Sequence, residues 1–61
     1  MKKVVFEEPD YLGGNNKIEM SIEDAVLEQK KIALTYGVHY LYDQDALEDF
    51  CSVNLATVVE V

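Results

Sequence analysis

The sequence predicts a small single domain of the α+β class spanning residues 1–61, two or three short antiparallel strands packed with two helices. Three observations lead there. β-Branched runs stand near both ends of the chain, a central segment carries helix signals at both of its termini, and a second apolar segment of helical period follows a group of acids.

Lys3 to Glu8 reads as the first strand, with Val4, Phe6 and Glu8 on one side and Lys3, Val5 and Glu7 on the other. Pro9 ends its pairing. Asp10 to Lys17 holds Gly13-Gly14-Asn15-Asn16, four residues that tolerate positive φ, and reads as a mobile loop tip. A glycine-rich loop can cradle phosphate, but the spacing of a nucleotide-binding loop is missing here.

Ser21 followed by Asp24 has the form of an N-cap with an acid at the third helical position, with Met20 placed to staple against Ala25. The helix it opens is predicted over Ile22 to Tyr36, and Gly37 is placed to be its left-handed terminator. On a helical wheel Ile22, Ala25, Val26, Gln29, Ile32, Ala33 and Tyr36 form the core stripe. Leu27 and Leu34 lie outside it, nearly one above the other, and ask for a second neighbour. They are the expected self-association residues.

Val38 to Tyr42 alternates and suits either an extended segment or a run into the second helix. Asp43 or Asp45 then caps that helix, Asp45 with Glu48 being the better capping box. Its apolar side is expected to hold Ala46, Leu47, Phe50, Cys51 and Val53. The run Ala56 to Val61 is β-branched, reads as a closing strand, and can pair with the first.

Composition bounds the function. With 49% hydrophobic and 28% charged residues the chain is not of the disordered class. At this length folding buries only about 60% of the unfolded surface, so a partner or a second copy would add needed burial, and a homodimer is the simplest closed assembly. The formal charge is −7, from twelve acids against five lysines and no arginine. All five lysines lie in the first 31 residues; the last 30 hold five acids and no basic residue apart from His39. Direct nucleic-acid binding is disfavoured, because phosphate contact needs clustered cations and base reading leans on arginine. A basic partner suits the chain better.

One cysteine gives no internal disulfide and points to a reducing cytoplasm. The apolar run Val4-Val5-Phe6 is too short for a signal peptide, and nothing is long enough to span a bilayer. Cys51 and His39 are the only nucleophile and base of the acyl-transfer kind, but Cys51 falls on an apolar helix face and His39 between Val38 and Tyr40, so both read as packing or surface residues. Asp43-Gln44-Asp45-Ala46-Leu47-Glu48-Asp49 begins like a calcium loop and then places Glu48 where the turn demands glycine. No metal, cofactor or catalytic residue is expected. The acids have two readings: the first turn of a helix, where they suit the dipole, or a partner-binding surface formed by Tyr40, Tyr42, Asp43, Asp45, Glu48 and Asp49.

The segments Gly37 to Asp43 and Ala46 to Phe50, with the small size and acidity, give the chain the style of short acidic bacteriophage accessory proteins. That family resemblance carries no diagnostic motif. It implies a non-enzymatic inhibitor that mimics nucleic acid and occupies the basic site of a host nucleic-acid enzyme. Two other classes fit the residues: a homo-oligomer sequestering a nucleotide with its tyrosines and Lys30 or Lys31, and a structural phage component.

Overall fold

The computed structural model describes all residues, 1–61. Its elements run β1 (Lys2–Pro9), β2 (Asn15–Ser21), α1 (Ile22–Thr35), α2 (Asp43–Asn54) and β3 (Thr57–Glu60). The three strands make one antiparallel sheet in the order β2-β1-β3, confirming the α+β class and the pairing of the terminal strands. Both helices cover one face of that sheet. Neither is long and apolar enough to cross a membrane.

β1 and β2 form a hairpin whose last pair is Pro9 with Asn15. The stretch expected to be loop through Lys17 is thus strand from Asn15 onward. The loop proper is short and internally bonded: Asp10 donates its N–H to the Gly14 carbonyl (2.7 Å), Gly13 donates to the Asp10 carbonyl (2.9 Å), and Asp10 Oδ1 accepts from Leu12 N–H (3.0 Å). Gly13 takes φ +96°, which is why glycine suits this turn. β2 holds its place through Ile18 and Met20, which alternate with Lys17 and Glu19 and pack against the core.

Ser21 both ends β2 and caps α1. Its backbone is extended and its Oγ accepts from Asp24 N–H (3.1 Å), so strand passes into helix with no loop between them. At the other end Gly37, at φ +73°, donates to the Leu34 carbonyl (3.1 Å) and Val38 donates to that of Ala33 (2.9 Å). These two bonds form a Schellman motif. Val38 to Tyr42, left open between strand and helix, is neither: it crosses between the helices as an irregular segment.

The core gathers Val4 and Phe6 from β1, Ala25 and Val26 from α1, and Ala46, Leu47 and Phe50 from α2. The Phe6 and Phe50 rings meet edge to face, 5.6 Å between centroids at 79°. The core stripe of α1 is narrower than expected, because Ala25, Gln29 and Ala33 recur every four residues and form a single buried seam beside Val26. Ile32 and Tyr36 fall off that seam and stay exposed. The same geometry corrects α2: Ala46, Phe50 and half-buried Asn54 define its seam, which leaves Val53 75% exposed.

These placements give opposite expectations for two apolar residues of one helix. Phe50→Ala should cost about 3–5 kcal/mol in urea unfolding, enough to unfold a domain of this size. Val53→Ala should stay within about 0.5 kcal/mol.

Candidate functional site

The candidate surface is built on the N-terminal half of α2 and the segment leading into it. α2 begins at Asp43, one turn ahead of the expected Asp45 cap: Tyr42 is the N-cap, in extended conformation and without a side-chain bond, and its carbonyl accepts from Asp45 (3.2 Å) and Ala46 (3.4 Å). Asp45 therefore sits within the first turn, where its charge still favours the exposed N–H groups. This start sets Ala46 and Leu47 against the core and leaves Asp45, Glu48 and Asp49 exposed.

Three of the six predicted binding residues, Tyr40, Asp43 and Asp49, are tied into the Tyr40 network or the Lys30 bridge. Half-buried Tyr40 donates its hydroxyl to Asp49 Oδ2 (2.7 Å) and accepts from Nε2 of Gln29 (3.0 Å), so the buried amide of α1 is tied to α2 through one phenol. The Asp49 carboxylate holds the Tyr40 hydroxyl above its usual pKa, an effect the Gln29 donor partly opposes and partial burial reinforces. Asp43 is engaged as well: Lys30 of α1 reaches across to it at 2.6 Å. The four-carboxylate cluster is therefore not free of compensation, and its charge counted with Lys30 is −3.

Lys30 also joins the two surfaces that sequence reasoning kept apart. Leu27 and Leu34, 54% and 56% exposed, flank it along α1. Leu27 lines a hollow of about 250 Å³ with Ile22, Val26, Lys30 and Asp43, and Leu34 lines one of about 160 Å³ with Lys30, Val38, His39 and Tyr40. The apolar stripe, the tyrosine and the first acid thus meet in one face. Leu41, 90% exposed beside the 68% exposed Tyr42, belongs to the same connection and was missed. The alternation of Val38 to Tyr42 did place it opposite the tyrosines, but without a paired strand that alternation carried no burial information.

The remaining chemistry is sparse. Burial raises the Cys51 thiol pKa, so it stays protonated at neutral pH. His39 is exposed and makes no hydrogen bond to Cys51. No three His, Cys, Asp or Glu side chains converge in a way that could hold a metal ion. The largest concavity, about 470 Å³, lies where β1 runs on past the end of β3, among Phe6, Glu7, Lys17, Leu55 and Thr57. Its single cation, Lys17, already faces Glu19 at 3.6 Å. No family model, curated protein or solved structure matches the chain.

The Tyr40 network gives a pH signature. A hydroxyl whose folded pKa is raised contributes stability that is complete below the unfolded value near 10 and is lost as pH climbs through the folded one. Thermal melts of the wild type should fall off above about pH 10. Tyr40→Phe should melt lower at neutral pH, since it strands the Gln29 amide, and should show a shallower alkaline decline.

Proposed function

We propose that this chain is a non-enzymatic binding protein of the cytoplasm whose α2 face docks on a basic groove of another protein, with the groove of a nucleic-acid enzyme as the partner class. The supporting observation is that Asp45 and Glu48 stand exposed and without a cation beside exposed Tyr42 and Leu41. An aromatic and an aliphatic anchor bordered by free carboxylates match an interface core with a charged rim. Tyr40, Asp43 and Asp49 hold this face in position and add their edges to it. Leu27 and Leu34 extend it, across Lys30, as an apolar shoulder.

The resemblance to phage accessory proteins makes occlusion of a host enzyme's nucleic-acid site the expected consequence, with acids standing where phosphates would lie. The nucleotide-sequestering alternative draws less support, because Lys30 is committed to Asp43.

The test uses Asp45→Lys with Glu48→Lys, which spares the Tyr40 network and the Lys30–Asp43 bridge and gives up only the long Gln44–Glu48 contact on the surface of α2. Proteins captured from bacterial lysate by the wild type should be basic nucleic-acid-binding proteins, released by duplex DNA and by salt. The double variant should bind the captured partner at least about tenfold more weakly at 0.15 M salt. Its stability should change by no more than about 1 kcal/mol. Unchanged affinity with an unchanged salt slope rejects the reading.

A further inference from the structure

β3 is an edge of the sheet, and its outer side is unpaired. Val61 donates its N–H to the Met1 carbonyl (2.7 Å), and the register places Val59 opposite Lys3 and Thr57 opposite Val5. By the alternation of an antiparallel ladder, residues 57, 59 and 61 turn their main chain inward to β1. Val58 and Glu60 turn theirs outward, where nothing in the fold meets them.

The two edges of the sheet differ in how they treat an approaching strand. β2 carries Asn15, Asn16, Lys17 and Glu19, the polar and charged residues that discourage strand addition. β3 reads Thr-Val-Val-Glu and is followed by Val61, with no lysine, no proline and no break in register. Val58, on the helix side of this edge, is 41% exposed for want of a further neighbour.

We propose that β3 pairs antiparallel with β3 of a second copy about a two-fold axis, with Val59 opposite the partner's Val59, making one continuous sheet of both protomers. In this register Val58 and Glu60 exchange main-chain hydrogen bonds with Glu60 and Val58 of the other copy, which satisfies the outward groups of both. On the uncovered face Thr57, Val59 and Val61 meet the partner's Val61, Val59 and Thr57, a β-branched cross-strand ladder. Such a contact is isologous and closes on itself.

Of the surfaces two copies could share, this edge is the one where charge permits contact. Two chains of −7 repel wherever their acidic turns meet, at the hairpin loop or at the first turns of α1 and α2. β3 has one ionisable side chain, Glu60, and it lies across from Lys2 of its own sheet. In the proposed register Glu60 faces the partner's Val58, so no carboxylate opposes another.

Sedimentation equilibrium tests the proposal on the intact chain. The wild type at roughly 0.1 mM should be a dimer that tightens as salt screens the net charge. Glu60→Pro removes an outward N–H and leaves the bonds to β1 in place, as proline does on an edge strand. It should raise the dimer Kd by about tenfold or more while the monomer keeps its circular dichroism. A second variant does not rely on proline: Val59→Cys in a Cys51→Ala background. Opposed residues of a non-hydrogen-bonded pair stand about 4.5 Å apart at Cα, within disulfide reach, so this chain should cross-link to itself under mild oxidation. Lys17→Cys in the same background, on the other edge, should not. A monomeric wild type overturns the proposal, as does a Val59→Cys chain that fails to cross-link. A dimer that survives Glu60→Pro but dissolves in Leu27→Lys with Leu34→Lys also overturns it and places the contact on α1.

Discussion

β1 is the only strand paired on both sides, and the rest of the molecule is arranged by that fact. Its neighbours fix its backbone, so Val4 and Phe6 point steadily into the one face that the helices cover. Phe6 then receives the edge of Phe50 from α2, while Ala25 and Ala46, both wholly buried, leave no bulky side chain to hold the layers apart. The result is a thin two-layer body, 15 Å in its shortest dimension. Only one face of the sheet is used. The other shows Lys3, Val5 and Glu7 of β1 with Lys17 and Glu19 of β2, where Glu19 bonds Lys3 at 2.8 Å and its carboxyl is held below the usual range chiefly by that lysine.

A core this small leaves the helix layer dependent on polar contacts. Gln29, buried on the seam of α1, would be costly without a partner, and Tyr40 supplies one while passing its own proton donor on to Asp49. Lys30 adds a second strap from α1 to the start of α2, more exposed and therefore weaker. Both straps cross the same irregular connection. They explain how residues 38–42, with no helix or strand of their own, still deliver α2 in register with the sheet.

The ends of α1 were legible in the sequence because each depends on a local device, a serine bonding the third helical N–H and a glycine free to take positive φ, whereas its buried face was read too wide, since Ile32 and Tyr36 are exposed. β2 was not. Its first residues, Asn15 and Asn16, read as turn, and its two apolar residues sit between charges that belong to an uncovered face, so half a strand looked like loop. Val38 to Tyr42 misled in the opposite direction, since alternation marks a strand only where a neighbouring edge exists to receive it. Of the candidate site, the exposed acids were legible from composition and from the helix pattern. The Lys30 bridge and the Tyr40 network were not, because both depend on how two helices distant in sequence lie against one another.

The proposed docking face and the proposed dimer edge occupy different layers, and symmetry relates them. Antiparallel pairing at a sheet edge, about an axis normal to the sheet, keeps both helix layers on the same side. A dimer built through β3 would therefore present both α2 faces toward one side, flanking the seam, because α1 is the helix that packs over β2 at the far edge. For a partner with a long basic groove, or two grooves, binding of the first face raises the effective concentration of the second without any new contact. Modest affinity per face then suffices, which suits a surface of a few anchors and free carboxylates. If both proposals hold, the folding problem of a 61-residue chain and the binding problem of a small acidic face would share one solution, since the second copy that completes the sheet edge would also double the docking surface.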